Sequence, residues 1–131
     1  MKVLLDTHTF LWFIAGDTKL SQTARDSIEN LENQRFLSMA SLWEIAIKTN
    51  LGKLDVIAKD ETFAEFFAEQ TRRNMIELLP ISLLHLAKIT TLPHHHRDPF
   101  DRLLIAQAQS ENLILLSADS ALDAYAIARR W

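Results

Sequence analysis

The chain has 131 residues, of which 48% are apolar and 24% are charged, a balance typical of a globular domain with one sizeable core. It contains no cysteine, which excludes a disulfide framework and a zinc–thiolate site. The net charge of −3, from 14 basic and 17 acidic residues, argues against binding of nucleic acid through bulk charge. Such binding would need a local basic patch or a cation.

Nothing in the sequence indicates export or membrane insertion. The first residues, MKVLLD, form an apolar run that is too short for a signal peptide because Asp6 interrupts it. No later apolar run approaches the ~18 residues that a membrane-spanning helix needs. The chain also lacks internal repeats and linkers. These features predict a cytoplasmic protein without a membrane partner, folded as a single domain over residues 1–131.

Short apolar runs predict buried strands, and helical patterns separate them. The strands are predicted at residues 2–5, 35–39, 76–79 and 113–117, and the segment AYAIA at 124–128 is a candidate for a short last strand. The helices are predicted over residues 21–32, 42–52 and 60–73, after Ser82 and after Pro99. Strands that alternate with helices predict an α/β three-layer sandwich around a mostly parallel central sheet.

Four carboxylates lie at junctions between these predicted elements. Asp6 follows the first strand, Glu44 lies one turn into the helix after the second, and Asp119 lies just beyond the fourth. The carboxyl ends of parallel strands form one edge of a sheet, where ligands bind, so we expect these three acids at that edge. Asp101, in the first turn of the last long helix, can join them only if that helix begins near the same edge.

Each acid also has a structural explanation. Ser41 and Glu44 have the spacing of a capping box. Asp98 before Pro99 is a good N-cap, and Asp101 is favourable in the first helical turn that follows. Ser117 could cap a short helix that contains Asp119. Four carboxylates within several Å would nevertheless repel one another unless protons or a cation intervened. An oxygen-rich cluster without cysteine suits Mg²⁺ or Mn²⁺.

The four acids lie in segments that together resemble PIN-domain ribonucleases, specifically the VapC-type toxins of bacterial and archaeal toxin–antitoxin pairs. The segments are LLDTHTFLW, SLWEIAIKTNLGKL, HHRDPFDRLLIAQA and LLSAD, in matching order and spacing over nearly the whole chain. The resemblance implies the strand order 3-2-1-4-5, metal-dependent cleavage of RNA, frequent homodimers and an antitoxin that blocks the site. It assigns the family's site roles to Asp6, Glu44, Asp101 and Asp119, and Ser117 fills a position where the family often has Thr or Ser.

The chemistry of phosphodiester hydrolysis is consistent with that assignment. A divalent ion can orient and acidify a water molecule and polarise the phosphate. We predict Asp6 and Asp101 as direct ligands. We predict that Glu44 and Asp119 bind the ion directly or through water, or help to remove the proton from the attacking water.

Further polar residues are predicted to support this site. Thr7 and Ser117 could orient ligands or water by hydrogen bonds. The candidates for contacts with RNA phosphate are Lys48, Arg97 and Arg102. Lys48 is also spaced for an ion pair along its own helix, and a structural ion pair explains Arg102 equally well.

Three consecutive histidines, His94–His96, form a candidate metal cluster. Adjacent side chains in a loop point in different directions, so the pattern favours an exposed loop in which His96 could touch phosphate. We expect Trp12 and Trp43 to pack in the core or at an interface. Where they are exposed, they could bind an apolar helix of an antitoxin.

Other functions fit the sequence less well. An aspartyl-phosphate phosphatase would need a second acid where His8 stands, and a phospho-receiver domain would need an acid in place of Leu79-Pro80. A non-toxin PIN-like nucleic-acid-binding module would be expected to lack an acid, and all four are present. A DNA nuclease of PIN-like fold stays open, because RNA is favoured by the resemblance and not by individual residues.

Overall fold

The computed structural model describes residues 1–131 and contains one sheet of five parallel strands. The strands are β1 (Lys2–Leu5), β2 (Gln34–Ser38), β3 (Ile76–Leu79), β4 (Ile114–Leu116) and β5 (Arg129–Arg130). The helices are α1 (Thr7–Ala15), α2 (Gln22–Glu29), α3 (Met39–Asn50), α4 (Phe63–Arg73), α5 (Leu83–Ile89) and α6 (Pro99–Glu111), and a 3₁₀-helix (Ser120–Ala124) precedes β5. The order β3-β2-β1-β4-β5 confirms the predicted 3-2-1-4-5.

The central strand β1 divides the interior into two cores. Val3 and Leu5 lie on one face of the sheet with side chains from α1 to α4, among them Phe10. Leu4 lies on the opposite face and packs with Ile105 of α6. Full burial of an aliphatic side chain stabilises the fold by about 1.5–3 kcal/mol, so both faces of the strand favour the sandwich. This arrangement confirms the predicted three layers.

The register of the sheet brings its three central strands to one level. Leu5 of β1 pairs with Leu37 of β2 on one side and with Leu116 of β4 on the other. The backbone amide of Asp6 donates to the carbonyl oxygen of Leu116 at 3.1 Å, which extends the pairing by one residue. The segments that follow β1, β2 and β4 therefore begin at the same edge, which is the carboxyl edge of the sheet.

The start of α3 differs from the prediction. The helix begins at Met39, and Ser38 caps it by accepting a hydrogen bond from the amide of Ala40 at 3.0 Å. Ser41 and Glu44 lie inside the helix, so the predicted capping box is wrong. Their side chains are free to face α1 instead.

Two further differences concern short segments. Helix α1 was not predicted, because its sequence THTFLWFIA shows apolar residues without a clear helical alternation. The AYAIA segment is not a strand, since Tyr125 turns into the second core and β5 forms only at Arg129–Arg130. No helix has both the length and the hydropathy that crossing a membrane would require.

Candidate active site

Asp6 lies at the carboxyl edge as the N-cap of α1. Its Oδ1 accepts a hydrogen bond from the amide of Thr9 at 2.8 Å, and the residue is only 8% exposed. Its other carboxylate oxygen has no protein hydrogen bond. Asp6 also lines a cleft of about 270 Å³ together with Trp12 and Asp119. The capping contact thus fixes the carboxylate while leaving one oxygen available to a ligand in the cleft.

Asp101 reaches the same edge from the first turn of α6. Asp98 caps this helix by accepting from the amides of Phe100 and Asp101, as predicted from the Asp-Pro sequence. The imidazole Nε2 of His96 lies 2.8 Å from Oδ2 of Asp101. One ligand atom from each of His96, Asp101 and Asp119 can be chosen so that all three lie within 4.8 Å of one another. The condition set by the sequence, that α6 begin near the carboxyl edge, is therefore met.

The charge balance at Asp101 favours a cation. Burial raises the pKa of its carboxyl above the usual 3.8, and the hydrogen bond to His96 opposes this effect. The negative charges of Asp98 and Asp6 raise the pKa further. A divalent ion would offset both the burial and the repulsion. The donor set of carboxylate oxygens and one imidazole nitrogen, without thiolates, fits such an ion.

Asp119 begins the 3₁₀-helix and is held from two sides. Its Oδ1 accepts from the amide of Ala121 at 3.0 Å, so Asp119 is itself the cap. Ser117 is fully buried, and its Oγ accepts from the backbone amide of Asp119 at 3.1 Å. The prediction that Ser117 caps this short helix is wrong, because its hydroxyl positions the backbone of the acid instead.

Glu44 occupies a different environment from the other three acids. Thr7 Oγ1 donates to its Oε1 at 2.6 Å, and Oγ of Ser41 lies 3.0 Å from the same Thr7 hydroxyl. Lys48 Nζ donates to the other oxygen, Oε2, at 3.0 Å, which confirms the predicted helix ion pair. Glu44 belongs neither to the cluster around Asp101 nor to the cleft at Asp6. The structure therefore joins three of the predicted acids and leaves the fourth beside them, paired with a lysine.

The position of Arg102 argues against the predicted phosphate contact. It is 9% exposed, and its guanidinium donates to the carbonyl oxygens of Pro93 at 2.8 Å and Leu92 at 3.3 Å. It also donates to Oη of Tyr125 at 3.2 Å, while that hydroxyl donates to the Pro93 carbonyl and accepts from the amide of His95. The predicted ion pair of Arg102 is wrong, because none of these acceptors is a carboxylate. Its hydrogen bonds are committed to the loop before α6.

The histidine loop is exposed only in part. His94 and His95 are exposed, as predicted, but His96 turns inward and its side chain is 20% exposed. His96 is thus the site residue that sequence reasoning placed wrongly. Its position five residues before Asp101 indicates that the two side chains could meet. The path of the loop, however, depends on contacts with the buried Arg102 and with Tyr125, which the sequence does not show. Arg97 is exposed at the rim of a larger cleft, of about 510 Å³, which His96 also lines.

Comparisons with known proteins agree with this architecture. A family model described as PIN domain matches residues 3–128. PIN domains are generally nucleases, and PIN nucleases generally use divalent metals. No curated protein matches the chain by sequence.

Several solved structures share the fold. VapBC2 from Rickettsia felis, bound to a DNA fragment from their promoter, has a TM-score of 0.73 and 17% identity, with 99% of this chain and 98% of that chain covered. FitAcB from Neisseria gonorrhoeae has a TM-score of 0.65 and 14% identity, with 98% and 96% covered. VapBC-5 from Mycobacterium tuberculosis, of the VapBC family of toxin–antitoxin systems, has a TM-score of 0.57 and 18% identity, with 98% and 95% covered. Identities this low show a common fold alone. With the family match over nearly its whole length and the sheet order observed, the chain belongs to the PIN domain family.

Proposed function

We propose that the protein is a metal-dependent endoribonuclease that acts as the VapC-type toxin of a toxin–antitoxin pair. The observation that carries the proposal is the convergence of Asp6, Asp101 and Asp119 at the carboxyl edge of a PIN-family sheet. These acids follow β1, open α6 and follow β4, so separate segments contribute to one acidic site. The fold alone needs no such convergence.

The site residues divide the work of phosphodiester hydrolysis. Mg²⁺ or Mn²⁺, when bound, supplies charge neutralisation for the phosphate and an acidified water. Asp6 and Asp101 are proposed as direct ligands, and Asp119 as a ligand directly or through water. Glu44 is proposed to hold a water molecule near the ion or to accept a proton from it. Either role requires that Lys48 first release Oε2 of Glu44.

Two side chains hold these acids in place. Thr7 fixes the carboxylate of Glu44 through its hydroxyl, and Ser117 fixes the backbone of Asp119. Such hydrogen bonds to ligand residues commonly set the orientation and the affinity of a metal site.

Contacts with the RNA backbone require local positive charge, because the whole chain carries a net charge of −3. Arg97 is exposed and lines the larger cleft beside His96, which favours a contact with a flanking phosphate. Lys48 can exchange Glu44 for a phosphate oxygen, since its side chain is 37% exposed. RNA rather than DNA is proposed because the sequence segments resemble ribonucleases.

An antitoxin and a second copy of the chain are the proposed protein partners, in the cytoplasm. Solved structures with this fold include toxin–antitoxin complexes, which favours an antitoxin for this chain. One face of α3 is apolar and exposed, which suits packing against another polypeptide. Its exposed residues are Met39, Trp43, Ile47 and Leu51 at its end.

The test is a cleavage assay with matched substrates. The purified protein is incubated with end-labelled RNA and with single-stranded DNA of the same sequence, in Mg²⁺, in Mn²⁺ and in excess EDTA. We expect RNA cleavage only with metal, and none from Asp6→Asn purified in parallel, which excludes a contaminating nuclease. Undiminished cleavage in EDTA by the wild type, but not by Asp6→Asn, would overturn the metal mechanism. Cleavage of DNA alone would favour the DNA nuclease, and binding without cleavage of either would favour a non-toxin binding module.

A further inference from the structure

His96 is the one nitrogen donor in the acidic cluster. Its Nε2 lies 2.8 Å from Oδ2 of Asp101, and it belongs with Asp101 and Asp119 to the set of ligand atoms within 4.8 Å. Two ligand atoms on opposite sides of an ion with bonds of about 2.1 Å are about 4.2 Å apart. The three ligand atoms already lie within a span close to this distance, so small side-chain movements would let them enclose an ion.

The backbone on the approach to His96 is anchored more firmly than an ordinary surface loop. Arg102, itself buried, donates to the carbonyl oxygens of Leu92 and Pro93. Tyr125 Oη accepts from the amide of His95 at 3.1 Å. These contacts fix the chain immediately before His96 and so limit the positions that the imidazole can take. A preorganised donor is what a ligand position needs.

Two roles for His96 are compatible with its contact to Asp101. It can hold the carboxylate from outside, as histidines and carboxylates do around many metal sites. It can also bind the ion itself. The nearby Asp119 carboxylate favours the second role, because a residue that served only to orient Asp101 would need no second acid facing it.

We propose that His96 binds the divalent ion through Nε2, beside Asp101 and Asp119. The proposal rests on the proposed function, since it adds a ligand to that site. Mg²⁺ prefers oxygen ligands and keeps several waters, whereas imidazole binds first-row transition ions more readily. His96 therefore gives the site a preference for Mn²⁺ over Mg²⁺.

The test measures metal binding without any substrate. Mn²⁺ is titrated into the full-length protein and followed by EPR, Mg²⁺ affinity is obtained by competition, and pulsed EPR records ¹⁴N coupling to the bound ion. The variants are His96→Gln, with His94→Gln as an exposed control from the same loop. His8→Gln is the second control, because His8 lines the cleft with Asp6 and Asp119.

We expect nitrogen coupling in the wild type and both controls, and its loss in His96→Gln. Mn²⁺ affinity should fall by about 10-fold in His96→Gln, and Mg²⁺ affinity should fall less. Bound Mn²⁺ without nitrogen coupling in the wild type, or coupling lost in His8→Gln instead, would overturn the role of His96 and leave the proposed metal site intact. No Mn²⁺ binding to the wild type would overturn the proposed function itself. Should His96→Gln fail to fold, the coupling in wild-type protein and the two controls still decides the question.

Discussion

Thr7 Oγ1 lies 2.6 Å from Oε1 of Glu44, a buried hydrogen bond that joins the first turn of α1 to α3 across 37 positions of the chain. Lys48 holds the other oxygen of the same carboxylate. Glu44 is therefore fixed in one orientation beside the carboxyl edge, while Asp6 keeps one oxygen free. Asp6 can therefore bind a ligand without losing a protein hydrogen bond, whereas Glu44 must first give up one of its two partners.

Thr7→Val tests the value of that hydrogen bond. The substitution keeps the shape of the side chain but removes the donor, so a buried carboxylate oxygen is left unpaired. We expect the free energy of unfolding to fall by about 1–3 kcal/mol, measured by chemical denaturation. Thr7→Ser keeps the hydroxyl and should remain close to the wild type. Equal stability of Thr7→Val and the wild type would mean that the contact is incidental.

Asp101→Asn separates a metal ligand from a residue that only stabilises a helix start. Asn keeps the shape of Asp but removes its charge. If Asp101 only stabilises the first turn of α6, the substitution should lower the free energy of unfolding by well under ~1 kcal/mol and leave activity intact. As a ligand, its loss should lower RNA cleavage at saturating Mg²⁺ by on the order of 100-fold or more.

The matched control for Asp101→Asn is the double variant His94→Ala and His95→Ala, which changes two exposed residues of the preceding loop. This variant should cleave RNA at nearly the wild-type rate. Activity that survives in Asp101→Asn but disappears in the double histidine variant would move the site from the acids to the exposed histidines.

The same carboxylate predicts a pH dependence of stability in the absence of metal. Its pKa in the folded protein is raised above 3.8, chiefly by burial, so the ionised form destabilises the fold. This penalty is absent below the unfolded pKa, where the acid is neutral in both states. It grows as the pH rises, and it is complete above the folded pKa. Asp101→Asn should therefore melt at a higher temperature than the wild type in EDTA at pH 7, and the difference should vanish near pH 3. A difference that grows toward low pH would contradict this account.

Arg102→Met should be strongly destabilising, although Arg102 is close to the site in sequence. The change leaves the carbonyl oxygen of Leu92 without a donor, while that of Pro93 keeps only the hydroxyl of Tyr125. We therefore expect a loss of about 2–4 kcal/mol in the free energy of unfolding. Tyr125→Phe removes one hydroxyl from the same network and should cost less, about 1 kcal/mol. Denaturation curves of both variants measure these losses. An Arg102→Met variant as stable as the wild type, yet weaker in RNA binding, would restore the phosphate role that its burial argues against.

Expression of the protein alone should arrest bacterial growth, and a small protein encoded beside it should relieve the arrest. The tail of that protein is expected to cover the acidic cleft with an arginine, which pairs with carboxylates much as a cation does. Growth curves after induction, with and without the neighbour, provide the measurement, and Asp6→Asn provides the non-toxic control. Absence of toxicity together with absence of such a neighbour would favour a housekeeping nuclease or a binding module.

The sequence by itself determined the alternation of strands and helices and the positions of the acids. Apolar runs such as residues 2–5 and 113–117 are local sequence patterns, and they occur where strands are buried on both faces of the sheet. Asp6 and Asp119 could be placed at one edge because parallel strands share a direction. The sequence also predicts the helix starts at Ser82 and Asp98, because capping depends only on the few residues nearest to the cap.

Only the tertiary structure decided which polar residues meet. Ser41 was read as a cap from its spacing to Glu44, but it faces Thr7, 34 positions away in the chain. The sequence predicts a phosphate contact or an ion pair for Arg102, but the side chain is buried against a loop to which Tyr125 also bonds. His96 turns inward because these contacts set the path of its backbone. Capping and burial patterns are local, so the sequence predicts the helices and strands. Hydrogen bonds between distant segments leave no periodic pattern in a sequence, so only the packing of the elements shows which side chains form the site.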